Sequence, residues 1–234
     1  MLSPELGAFA ETPDRYTQLS TDVERFADER VCILQGPTWA AISGVRVQPD
    51  RVEARVARVR GLVPPEKIAT WWLGPSSEPA DLHGRLVALG FTGPADGHSR
   101  LHALACTAPP QPGPAAVDVR RVETLEDFTA ARDINWEAFA IPQKRRDQEA
   151  PHLETNVQGM LDGGPLVFLA FLDGRAAGVG RSVLSPRGVF LIGGAVLQDA
   201  RGRGVYRALV RARWDDAVER GTPALLCPTP HIRS

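Results

Sequence analysis

Residues 201 to 209 read Arg201-Gly202-Arg203-Gly204-Val205-Tyr206-Arg207-Ala208-Leu209. Glycines and arginines alternate there and lead into an apolar series, Val205, Ala208, Leu209, Ala212, Trp214, Ala217 and Val218, that returns at helical spacing. The preceding residues, 189–197, are mostly β-branched, aromatic or small and fit a strand. The reading is strand, glycine-rich turn, helix. A helix opens with unpaired N–H groups and a partial positive charge, and glycines at that point let an anion approach the backbone. Arg201, Arg203 and Arg207 are each disfavoured at that end of a helix by roughly 0.3–1 kcal/mol, so their clustering makes better sense with a phosphate among them. An ordinary loop is the competing reading, because arginine supplies all but two of the chain's 27 basic residues.

Working outward, residues 107–116 hold four prolines and a glycine and suit a stiff, extended linker. They divide the chain into an N-terminal α+β domain at 1–106 and a second domain at 117–234. In the second domain residues 117–122 alternate like a strand, and Thr124 with Asp127 marks a helix start near a capping box. That helix runs to Phe139, before Pro142. A polar stretch and a second helix at 152–161 follow. Residues 166–172 form an apolar strand, Asp173-Gly174 a hairpin turn, 176–184 the return strand, and 185–188 a turn into the strand before the glycine loop.

This order, with the loop between the fourth strand and the third helix, resembles the GCN5-related N-acetyltransferases (GNAT) over residues 117–227. Their acyl-CoA motif is Arg or Gln, two residues, Gly, one residue, then Gly or Ala. Arg201 and Gly204 fit it, and Tyr206 takes the place of the final small residue, where it could crowd a phosphate. The resemblance implies a mixed, mostly antiparallel sheet flanked by helices, with acetyl-CoA as co-substrate. Its pantetheine arm would pair with Gly194, Ala195 and Val196, and its pyrophosphate would meet Arg201, Gly202, Arg203, Gly204, Val205, Tyr206 and Arg207. The Val196 N–H would hold the thioester oxygen. The acceptor would be an amine of a small molecule or a protein. A Gly193-Gly194 pair also fits a strand bulge.

Relatives protonate the leaving thiolate with a tyrosine on the helix after the fifth strand, whereas this chain's tyrosines are Tyr16 and Tyr206. With the fifth strand at 223–227, the family's final helix and strands find no match. The C-terminal domain is therefore expected to be incomplete and its activity impaired. Its sheet edge would be covered by the N-terminal domain or a second subunit, or left open to self-association as a homodimer. For a general base, Glu137 is the candidate in the apolar stretch 134–141, although it lies about 180° from Phe128 on a helix, hence toward solvent. Asp199 suits a turn cap, His231 is near the chain end, and a water relay would leave no mark.

The N-terminal half is read as short strands at 31–34, 39–47 and 52–59 and a buried strand at 69–73 whose Trp71 and Trp72 serve the core. A helix follows over 77–89, ending at Gly90. This layout looks like the partner domain that precedes the catalytic one in some two-domain acetyltransferases. The 234 residues are 43% hydrophobic, enough for a packed core, and the net charge of −1 opposes a nucleic-acid surface. Cys32, Cys106 and Cys227 are far apart and lack metal-ligand spacing, so free thiols and a reducing cytoplasm are expected. The N-terminus has no basic region, and no stretch approaches the roughly 20 apolar residues of a membrane span. Three functions stay open: an acetyl-CoA-dependent N-acetyltransferase; a non-catalytic acyl-CoA-binding or protein-interaction module on the same fold; and, disfavoured by charge, a Gly/Arg nucleic-acid contact.

Overall fold

The computed structural model describes residues 3–93, 101–222 and 224–230. The chain divides into two compact units, residues 1–103 and residues 104–228. In the first, α1 (Pro4–Glu11) is capped by the Ser3 hydroxyl, which accepts the Leu6 N–H at 3.2 Å. Four strands, β1 (Glu24–Asp28), β2 (Val31–Gln35), β3 (Trp39–Ser43) and β4 (Ile68–Trp71), form a sheet in that order. Only β4 is parallel to its neighbour, β3, and α2 (Val52–Leu62) supplies the crossover that a parallel pair requires. With α3 (Leu82–Ala88), α2 covers Val31, Ile33 and Ile42.

Three expectations for this half need correction. Residues 52–59 are helical, because Val52, Val56, Val59 and Val63 are buried at intervals of three and four, a spacing only a helix turns to one side. The strand at 69–73 is not buried: β4 is the sheet edge, Ile68 is 70% exposed and Trp72 is exposed. Trp71 alone joins the core, half-buried and edge-on to Phe91 at 5.5 Å. The helix expected from residue 77 begins at Leu82, after a turn in which the Leu82 N–H donates to the Pro79 carbonyl. It ends, as expected, at Gly90.

Asp28 fixes the β1–β2 turn. Its carboxylate accepts the Arg30 and Val31 N–H groups at 2.8 and 2.9 Å and the Arg55 guanidinium at 2.9 Å. Burial would raise its pKa, but these donors together hold it below the ordinary carboxylate value. Stabilisation from such a group is complete above the unfolded pKa and is lost as pH falls through the lowered folded one. Acidification is therefore expected to bring the wild-type urea midpoint down toward that of Asp28→Asn, which starts lower at neutral pH. Parallel curves would show that the turn does not use the charge.

The six-stranded sheet of the second half contains β5 (Leu101–Cys106), β6 (Val117–Arg121), β7 (Leu166–Leu172), β8 (Arg175–Ser185), β9 (Gly188–Val196) and β10 (Leu225–Pro230). Its order is β5-β10-β9-β8-β7-β6, antiparallel from β6 to β9, with β10 parallel to β9. α4 (Leu125–Ala138) and α6 (Leu153–Leu161) bury Phe128, Ile134, Val157 and Met160 against one face, beside Val179 and Ala195. α7 (Val205–Glu219) buries Val205 and Leu209 against the other, beside Phe168, Ala170 and Ala177. Thr124 caps α4 by accepting the Asp127 N–H, and Asp173 and Gly174 both take positive φ, the signature of a tight hairpin.

Two features depart from the sequence reading. The polar stretch after α4 contains a helix, α5 (Gln143–Glu149), which buries no residue and is held by Gln143–Asp147 and Arg145–Glu149 pairs one turn apart. Of the alternatives given for the edge beside β10, the open one does not hold: β5, from before the prolines, pairs there, and Cys106 packs with Val189, Trp214 and Leu225. The proline-rich stretch is also more than a spacer. Arg211 Nη1 donates to the Pro110 carbonyl at 3.1 Å, and Gly113 lies so close to α7 that a Cβ on it would stand 2.4 Å from the Ala208 Cβ. Among the described residues no helix is long and apolar enough to cross a membrane.

Candidate functional site

The site begins where β9 loses its regular pairing. Arg181 is opposite Ile192 and Val179 opposite Ala195, so Gly180 alone faces both Gly193 and Gly194, and Gly193 takes a φ of +57°. This is a β-bulge. Beyond it the Leu197 N–H donates to the Ala177 carbonyl at 3.0 Å, making that pair a hydrogen-bonded rung. The adjacent Val196–Gly178 pair is then a non-bonded rung, and the N–H and C=O of Val196 point away from β8. The carbonyl accepts Arg201 Nε at 3.2 Å. On the other side of β9, the parallel register described with β10 covers Leu225↔Val189 and Leu226↔Phe190, before the bulge is reached.

Gly202 and Gly204 then turn the chain with φ of +75° and +81°, a conformation that costs glycine nothing and other residues a good deal. Gly204 is the N-cap residue of α7 and no side chain caps the helix. The N–H groups of residues 202–207 have no acceptor among the described residues, a longer run than the four that a helix start ordinarily leaves. They border a groove of about 670 Å³ lined by Pro114, Val196 and Ala200 together with the loop from Arg201 to Arg207. Pro114 closes one wall, so near that a Cβ on Gly204 would stand 2.6 Å from its Cγ.

The three loop arginines are not equivalent. Arg201 is tied to the Val196 carbonyl, and Arg203 pairs with Asp173 at 2.7 Å. Asp199, which suits a turn cap by sequence, pairs instead with Arg175, so the β7–β8 hairpin braces the loop at two points. Arg207 has no carboxylate partner among the described residues. The Tyr206 ring lies against β9, where a Cβ on Gly194 would stand 2.8 Å from its Cε2, and its hydroxyl is 3.6 Å from the Cys227 Sγ on β10. Burial, then the Cys227 thiol, push its phenol above the ordinary value.

The sequence reading passes over several residues around this loop. Arg213 is 1% exposed, its Nε donating to the Leu209 carbonyl at 2.9 Å and its Nη1 to the Arg181 carbonyl at 3.3 Å. Burial lowers its pKa, opposed by the nearby Tyr206. A signal existed: Arg213 is one turn after Leu209 on the apolar stripe, and Gly180 leaves room for it. On the opposite face of the sheet, Trp136 Nε1 donates to Glu149 at 2.9 Å, and Arg181 is half-buried beside Gly193. Burial would raise the Glu149 pKa, but the Arg145 and Trp136 hydrogen bonds bring it below the ordinary value. Glu137 is exposed on α4, and His231 lies outside the described residues.

Residues 128–231 match the acetyltransferase (GNAT) family. Among solved structures the chain is similar to a GCN5-related N-acetyltransferase from Kribbella flavida, at 16% identity and a TM-score of 0.61, over 98% of this chain and 86% of that one. It is also similar to a conserved protein of unknown function from Staphylococcus epidermidis, at 11% identity and a TM-score of 0.60, over 95% and 88% of the two chains. No curated protein matches it. The loop, the bulge and α4 from Phe128 onward fall within the matched segment, so that residues 128–231 carry both the family match and the fold of the GNAT acetyltransferases.

Proposed function

We propose that the protein transfers an acetyl group from acetyl-CoA to an amine. The unpaired N–H groups of residues 202–207 at the head of α7 are the observation that carries this reading, since a diphosphate supplies the acceptors they lack. Gly202, Gly204 and the uncommitted Arg207 fit such a group, and the groove beside them has room for it. Gly194, Ala195 and Val196 would line the pantetheine arm, and the outward Val196 N–H would meet the thioester oxygen, where negative charge develops. A lysine-like amine with pKa about 10.4 must first lose a proton to attack. In the transfer the N–C bond forms and the C–S bond breaks. The thiolate takes up one proton as the amine nitrogen releases one to solvent. Glu137, exposed on α4, would take the proton only through solvent.

Calorimetry with acetyl-CoA tests the reading. Binding is expected, weakened about tenfold, or some 1.4 kcal/mol, in Arg207→Ala. Arg203→Ala is expected to lose less, because its guanidinium is already shared with Asp173. A wild-type protein that binds no acetyl-CoA would remove the proposal, and equal losses in the two variants would remove the special place given to Arg207.

A further inference from the structure

On one face of the sheet α7 lies over the bulge, with Tyr206 against Gly194 and Arg213 against Gly180, which leaves the opposite face for an acetyl acceptor. Gly180 and Gly194 present their missing side chains to Arg213 and Tyr206 of α7, so Val179, Arg181 and Gly193, one position away on the same strands, present theirs to the α4 side. Val179 does pack there, with Phe128 and Ile134. A Cβ on Gly193 would stand 3.7 Å from the Arg181 Cδ, which places this side chain at the bulge itself, next to the backbone that would hold the thioester. Arg181 Nε is buried and has no hydrogen-bond partner among the described residues, although burying a cationic donor unsatisfied is costly.

Guanidinium groups gather around Trp136 and Glu149. Arg132 stacks over Trp136 at 4.2 Å and pairs with Asp133, and Arg145 pairs with Glu149. Arg146 donates to the Ile141 and Trp136 carbonyls, which satisfy its hydrogen bonds but leave its charge uncompensated. Arg181 has Glu149 as its electrostatic neighbour, a carboxylate already accepting from Arg145 and Trp136. Glu149 is thus one carboxylate between two guanidinium groups, Arg145 and Arg181. Such a field disfavours a polycationic acceptor and favours the neutral over the protonated form of an approaching amine. It also attracts an anion, for which a guanidinium is the planar, two-pronged partner.

We infer that the acceptor amine carries a carboxylate, and that Arg181, at the β9 bulge on the α4 face, binds it. This rests on the acetyl-transfer reading and names its substrate class. Arg181 engages the acid group, with Glu149 as its charged neighbour, and the amine is left pointing at the thioester.

The test compares α-amino acids with their carboxamides, with a phosphate-bearing amine and with a polyamine, following thiol release from acetyl-CoA with the full chain. The acids are expected to exceed their amides in kcat/KM by about tenfold or more, the value of one charge-assisted hydrogen bond. In Arg181→Gln that advantage should vanish, mainly through KM, and Arg181→Lys should restore part of it. Equilibrium binding of acids and amides without acetyl-CoA should show the same order and the same loss. Equal use of amides, a preference for the polyamine or the phosphate-bearing amine, or acetyl-CoA binding without turnover of any acid would each overturn the assignment while leaving the cofactor site standing. Failure to bind acetyl-CoA would instead remove the transfer reading, and this inference with it.

Discussion

Acetyl-CoA binding is expected to fall by about 100-fold or more in the Gly204→Val variant, relative to the wild type. Gly204 is held at a φ of +81°, where an L-residue costs about 1–2 kcal/mol and a β-branched one more. Its Cβ would also stand 2.6 Å from the Pro114 Cγ, so the loop must move as well as strain. Displacing even two backbone donors to a diphosphate removes about 3 kcal/mol, which is the stated loss. Gly202→Ala is the control, because Gly202 shares the positive φ but a Cβ there meets nothing within 4 Å. It should bind more tightly than Gly204→Val. Calorimetry on both, with circular dichroism melts to verify folding, decides the matter. Unchanged affinity in a folded Gly204→Val protein would mean that the loop amides are not the cofactor site.

Arg213→Ala is expected to destabilise the protein by about 3 kcal/mol or more in urea unfolding, from a cavity of large-to-small type and the loss of hydrogen bonds to the Leu209 and Arg181 carbonyls. The guanidinium is buried under β8 against Gly180 and 5.9 Å from the Tyr206 ring, where it props the first turn of α7. Arg213→Met keeps most of the volume without the charge, and because replacing a buried charge by an apolar group is often near neutral, it should lose far less. Equal losses in the two variants would show that the charge, not the packing, holds the turn. Wild-type stability in Arg213→Ala would show that neither does.

The loop and hairpin were legible because their residues act locally. Gly202, Gly204 and the Asp173-Gly174 pair stand where the backbone needs positive φ, and Thr124 caps the helix it precedes. Residues 52–59 were misread because valine favours strands while its spacing here belongs to a helix, and burial outweighs propensity. α5 was missed because an all-polar helix stabilised by pairs one turn apart leaves no apolar rhythm. Arg181 and Glu149 are brought together by tertiary packing across 32 positions of sequence, and no local pattern signals that. Which of the alternatives fills the edge beside β10 was not legible for the same reason, since the strand that does so comes from before the prolines.

That last feature changes where the C-terminal half can be cut free. Amino-acid composition shifts at residue 117, and a protein chemist trimming the chain there would remove both the border strand Leu101–Cys106 and the pyrrolidine ring that abuts Gly204. A bare rim of backbone donors and acceptors beside β10 would then invite aggregation. An autonomous C-terminal fragment has to start near residue 101, ahead of that strand, so that the prolines travel with that half as part of its fabric.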